Sequence, residues 1–158
     1  MSVTYPLGFR ACGVQAGLRT KPAPDLALIV NDGPRDTVAG VFTTNRVSAA
    51  PVQWSRQVVS DHKARAVIAN AAVANACTGI DGLTDSQCEA EHVATLVGCQ
   101  ADEVVVASTG VIGVRLDMPS ILVGATTAHT SLDRGDAVDE SAARAIMTTD
   151  TVPKSATV

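Results

Sequence analysis

Aromatic side chains are scarce in this chain: one Trp, one Tyr and two Phe make up 3% of its 158 residues. The core must therefore be closed by small apolar groups, mostly Ala and Val, which suits sheets and helices in close contact. Cationic side chains are also few, with 12 Lys and Arg against 16 Asp and Glu and a formal net charge of −4. No basic stripe can displace counterions from phosphates, which argues against nucleic-acid binding. No apolar run approaches the ~20 residues that span a bilayer, and Met1 to Arg10 lacks a basic segment followed by an apolar one.

The four cysteines, Cys12, Cys77, Cys88 and Cys99, form no CxxC pair and have no histidine at metal-ligand spacing, so neither a metal site nor a redox motif is expected. These features together predict a cytoplasmic protein with reduced thiols and no cofactor. Neither a Walker A loop nor a GxGxxG is present. His62, His92 and His129 are isolated in sequence; His92 reads as a core-edge residue and Cys77 as a small buried thiol.

The length suits one domain, or one piece of one, since a domain of this size buries roughly 70% of its unfolded surface. Asp25 to Val30 is a short apolar run followed by the turn signal Asn31-Asp32-Gly33-Pro34, and Thr37 to Thr43 reads as the returning strand of a hairpin. Val52 to Ser60 suits a helix better than a strand. Ala64 to Asn70 is continuously apolar at its centre and reads as a buried strand. Thr84-Asp85-Ser86-Gln87 fits a capping box opening a helix to about Val97, and Val104 to Ala107 is the next strand. Asp117 can cap a helix that carries Pro119 in its first turn and runs to about His129. Ser131 to Asp139 is expected as a surface loop, Asp139 to Met147 as a helix, and Lys154 to Val158 as the start of another strand. Alternation of strands and helices after residue 64 predicts an α/β layered fold.

Two segments could carry chemistry. Ser108-Thr109-Gly110 follows a strand, and such a turn can present unpaired N–H groups to a developing negative charge, with Gly110 admitting a ligand close to the backbone. Taken alone, it reads more readily as an ordinary strand-ending turn. Thr148-Thr149-Asp150-Thr151 could hydrogen-bond an amino-acid substrate, or could be the turn after a helix before Pro153. Lys154 could pair with a carboxylate, though an exposed lysine is the simpler reading.

In order along the chain, Gly8-Phe9-Arg10, Asp25-Leu26-Ala27-Leu28, Asn31-Asp32-Gly33-Pro34, Gly40-Val41-Phe42-Thr43-Thr44-Asn45, Asn75-Ala76-Cys77-Thr78-Gly79, Ser108-Thr109-Gly110-Val111-Ile112-Gly113 and Ala145 to Thr151 with Pro153-Lys154 resemble the N-terminal α chain of the ornithine acetyltransferase family. The resemblance implies an α/β/β/α sandwich of the DmpA-like type, completed by a β chain cut from the same precursor, and an α2β2 assembly. It implies transfer of an acetyl group from N-acetylornithine to glutamate through the threonine that begins the β chain, so that the nucleophile lies outside this chain and the chain alone is inactive. Acetyl-CoA is a further donor the resemblance leaves open. By the same resemblance Thr109 and Gly110 match the oxyanion-hole pair, and Thr148 matches a substrate contact.

At Asn70-Ala71-Ala72-Val73-Ala74 this chain departs from the Asn-Ser-Gly usual in that family. If the loop is left-handed there, Ala72 or Val73 carries a penalty of roughly 1–2 kcal/mol. The altered loop keeps open a non-catalytic or truncated relative that binds an amino-acid-like ligand or a partner; a third reading is an amidohydrolase that uses the same oxyanion architecture with water as acceptor.

Overall fold

A computed structural model describes residues 2–157. The continuously apolar runs form the centre of a mixed sheet. Its strands are β1 (Phe9–Val14), β2 (Leu26–Asn31), β3 (Ala66–Asn70) and β4 (Val104–Ser108), in spatial order β1-β2-β3-β4. The first two pairings are antiparallel and the β3–β4 pairing is parallel. A parallel pair needs a crossover, and α2 (Gly79–Val97) supplies it. The other helices are α1 (Ala50–Val58), α3 (Met118–Thr130) and α4 (Asp136–Ala145).

Side chains alternate between the two sheet faces. On one face Leu26, Leu28, Val30, Ile68, Val104 and Val106 are buried against Ala90, Val93 and Ala94 of α2 and Ile121, Ala125 and Ala128 of α3. On the other, Ala11 and Ala27 pack on Ala142 and Ala145 of α4. These small residues let α4 lie close, and the Gly13 amide donates to Ser141 Oγ at 3.0 Å. Beyond α4, the β3–β4 side of this second face is only partly covered: Val67, Ala69 and Val105 are half-buried and Ala107 is exposed. The edge strand β4 is sealed by α1, whose Trp54 Nε1 donates to Val104 O at 3.0 Å and whose Ser55 hydroxyl bonds both Val106 O and Val106 N.

The expected strands at 25–30, 64–70 and 104–107, the helix over 52–60 and the Asp117-capped helix are all present, and Asp117 accepts from the Ser120 amide. The hairpin is not. Both edges of β2 are taken by β1 and β3, so Thr37 to Thr43 has no free edge to join and makes one isolated bridge, Thr37 to Lys63. The capping box at Thr84 is also absent. α2 begins at Gly79, and Thr84 lies inside it, its hydroxyl donating to Ile80 O. Asn75 sets that earlier start: its Nδ2 donates to Gly82 O and Ser86 Oγ, and Thr78 donates to its Oδ1. A side chain at Gly82 would fall 1.9 Å from Thr78 Oγ1.

Helix α4 starts at Asp136 after Gly135 and ends at Ala145, so the stretch from Ser131 to Asp139 is half helix. Asp139 is buried there because its carboxylate accepts the Ser2 and Thr4 amides. Lys154 to Thr157 is not in a strand, and Val158 lies outside the described residues. Among the described residues no helix is long and apolar enough to cross a membrane.

Candidate active site

Because β3 and β4 are parallel, the loops that leave them emerge at the same end of the sheet. The two loops continue the ladder. Thr109 N–H donates to Asn70 O at 3.0 Å, Val111 N–H to Ala72 O at 2.9 Å, Ala74 N–H to Val111 O at 2.9 Å and Gly113 N–H to Ala76 O at 2.8 Å. Between the first two bonds lies Gly110, with φ of 137°. A Cβ there would fall 2.1 Å from Ala72 O, so glycine is required twice over, by conformation and by contact.

The expectation of consecutive free N–H groups at Ser108-Thr109-Gly110 is therefore half met. The Thr109 amide is committed to the ladder, whereas among the described residues the Gly110 amide and the Thr109 hydroxyl have no hydrogen-bond partner. Ser108 Oγ and Asn70 Oδ1, on residues paired across the ladder, are buried and unpartnered as well.

Thr109 and Gly110 open onto a cavity of about 880 Å³, whose walls also include Ala72, Val73, Thr148 and Thr149. Residues 39 apart in sequence thus meet at one site. Asp150, Thr151 and Lys154 do not line it. Asp150 is held by the Lys154 ammonium and the Thr148 amide, and the lysine, ahead of the amide, draws the Asp150 carboxyl below its ordinary pKa. None of the three histidines lines the cavity; His92 is half-buried, its Nε2 2.9 Å from Thr126 Oγ1. Cys77 lies outside the cavity and is exposed rather than buried, because the left-handed backbone at Asn75 and Cys77 turns sharply into α2. All four thiols are free. Among the described residues no group of three or more His, Cys, Asp or Glu can hold a metal ion.

A third wall of the cavity was not foreseen from the sequence: the loop Leu18, Arg19, Thr20, Lys21 and Ala23. It is built on Asp25. This fully buried carboxylate accepts the amides of Ala16, Leu18 and Arg19 at 2.6, 2.7 and 3.0 Å, and charge-assisted bonds of this kind are the strong ones. The loop then aims the Arg19 guanidinium at the carbonyls of Met147 and Ala145, where a cation meets the negative end of α4. Arg19 thereby ties the Thr148 segment to the opposite wall. The one sequence signal for this was an aspartate directly preceding the apolar run Leu26 to Val30.

The departure at Asn70 to Ala74 is resolved by strain at one residue. Ala72 has φ of 88°, while Val73 does not have a positive φ. An alanine in that region costs roughly 1–2 kcal/mol, at a position on the cavity wall.

A family model described as the ArgJ family matches residues 10–158. This chain belongs to the ArgJ family. It is 52% identical over 154 residues to the arginine biosynthesis bifunctional protein ArgJ of Thermobifida fusca, a match covering 98% of this chain and 40% of that protein. It is 50% identical over its full length to the Streptomyces coelicolor ArgJ, covering 41% of it. The chain thus spans about two fifths of the length of these curated ArgJ relatives. Among solved structures, the ornithine acetyltransferase of Mycobacterium tuberculosis, complexed with ornithine, superposes with a TM-score of 0.94 at 47% identity over 96% of this chain and 81% of that one. The ArgJ protein of Bacillus halodurans superposes with a TM-score of 0.86 at 36% identity, over 96% of this chain and 78% of the other.

Proposed function

We propose that this chain is the α-chain portion of an acetyltransferase that moves the acetyl group of N-acetylornithine to glutamate in arginine biosynthesis. A β chain of the same precursor supplies an N-terminal threonine as nucleophile. Its hydroxyl oxygen adds to the acetyl carbon, the tetrahedral oxyanion collapses, and ornithine leaves carrying a proton. The glutamate amine then attacks the acetyl ester and the threonine hydroxyl is regenerated, the threonine's own α-amine serving as the base.

The role of this chain is electrostatic and positional. The Gly110 N–H and the Thr109 hydroxyl donate to the oxyanion, and a single donor of this type contributes about 3–4 kcal/mol to transition-state stabilisation. Thr148 positions the substrate. The observation that carries the reading is the convergence of Thr109, Gly110 and Thr148 on one cavity, with the Gly110 amide lacking a partner among the described residues. The relative from M. tuberculosis was solved with ornithine, the leaving group of the first half-reaction. The partly covered sheet face at Val67, Ala69 and Val105 suits a second sheet from the β chain, giving the α/β/β/α sandwich within an α2β2 particle. The site is cytoplasmic in this reading, in keeping with four free thiols.

Acetyl transfer from N-acetylornithine to glutamate, measured on the full ArgJ protein that carries this chain, tests the reading. Thr109→Ala and Gly110→Ala should each lower kcat at least about tenfold, a loss of ~1.4 kcal/mol. A cleaved, folded complex that transfers no acetyl group would overturn it.

A further inference from the structure

Asn70 ends β3 and is 2% exposed. Its Nδ2 donates to Val73 O at 3.0 Å and Ala71 O at 3.3 Å, the carbonyls on either side of Ala72, while its buried Oδ1 has no partner among the described residues. Turning the carboxamide over would set its oxygen against those two carbonyls, so the donor side alone orients it. The residue between the two clamped carbonyls is the alanine held at a φ of 88°. Its own carbonyl accepts the Val111 N–H and lies against Gly110. Strain of this sort persists only where the surroundings over-determine it, and it concentrates at functional sites.

We infer that Asn70 is a positioning residue: its side-chain amide clamps the Ala71–Val73 turn, and the carbonyl of Ala72, held in that turn, fixes the backbone on which the Gly110 N–H is presented to the cavity. The catalytic part of this inference rests on the acetyl-transfer reading; the mechanical part does not. In a chain with glycine at position 72 the left-handed turn carries no Cβ strain for the clamp to hold. The dependence on Asn70 is therefore expected to be largest with the alanine this chain carries.

The test is a double-mutant cycle in the full ArgJ protein, with Asn70→Ala, Ala72→Gly and the two combined, and with Asn70→Asp as a variant of unchanged shape that replaces the donors by acceptors. Amide hydrogen exchange of the 109–113 segment reads the clamp without reference to activity. Asn70→Ala and Asn70→Asp should each speed that exchange at least about tenfold, and should lower kcat about tenfold with KM altered less than about twofold. Against the Ala72→Gly background, Asn70→Ala should change both by less than about threefold. Unchanged exchange in both Asn70 variants sinks the clamp. Faster exchange with unchanged kcat sinks its link to the reaction, and an equal effect in both backgrounds shows that Asn70 supports the fold without acting through Ala72. A wild-type protein with no acetyl transfer refutes the functional reading instead, and the exchange data still decide the clamp.

Discussion

The helix-covered face of the sheet and the cavity at its strand ends share two strands, β3 and β4, yet they differ in how they treat backbone and polar groups. Under α2 and α3, Leu28, Ile68 and Val104 are almost wholly buried, and the outer edge of β4 has its polar groups bonded by Trp54 and Ser55. A few residues on, Ala72, Asn75 and Cys77 have positive φ, two buried oxygen atoms lack partners, and the Gly110 amide is left open. Apolar packing gains from every contact made. An oxyanion site works only if its donors are left unmade until the substrate arrives.

The sharpest way to test that division is to damage the packed face and watch the chemistry. Leu28→Ala should lose about 2–5 kcal/mol of stability, seen as a lower thermal midpoint of the full ArgJ protein, while KM at temperatures well below that midpoint stays within about twofold. A large change in KM would show that core and cavity are not separable.

A smaller effect comes from the exception within the packed region. Glu89 of α2 is buried with Oε1 unpartnered, and burial, with the nearby Asp85 charge a lesser cause, pushes its carboxyl up to about 8. A group with a raised folded pKa binds its proton more tightly in the native state, so its contribution to stability is complete below its unfolded pKa of 4.5 and is lost as pH rises through about 8. Glu89→Gln, which cannot ionise, should therefore narrow the fall in thermal midpoint between pH 6 and pH 9 by about 3 °C or more. An unchanged fall would place the pH dependence elsewhere.

Smallest is a gain at the cavity. Ala72→Gly removes a strain of about 1–2 kcal/mol but adds roughly 0.5–1 kcal/mol of unfolded-chain entropy. The net expectation is about 0.5–1 kcal/mol of added stability, read from the denaturation midpoint. Any loss of stability on this substitution would show that Ala72 is not strained.

How much could be read in advance follows the same division. β2, β3 and β4 were visible because each has a continuously apolar centre, the pattern of a strand at the middle of a layered sheet. The Asp117 cap and α1 were visible for reasons equally local. β1 was not, since Phe9-Arg10-Ala11-Cys12-Gly13-Val14 shows no apolar alternation, and the turn signal at Asn31-Asp32-Gly33-Pro34 pointed to Thr37 to Thr43 as the partner of β2 instead. The start of α2 was missed because the signal at Thr84 is a genuine local pattern outcompeted by a remote one, the Asn75 side chain bonded to Gly82 and Ser86.

Thr109, Gly110 and Thr148 were singled out by resemblance to a family; as bare residues they were also plausible turn formers. By itself the sequence determined which stretches must be buried, because burial of apolar side chains depends on composition along a short run. Only the tertiary structure decided that the Thr109 amide is taken while the Gly110 amide is free, that the buried Asp25 holds the loop by which Arg19 joins the cavity's walls, and that the strain at Asn70 to Ala74 falls on Ala72. Those outcomes depend on which backbone groups find partners from distant parts of the chain, and hydrogen-bond partnership, unlike hydrophobicity, is a property of a pair of positions in space.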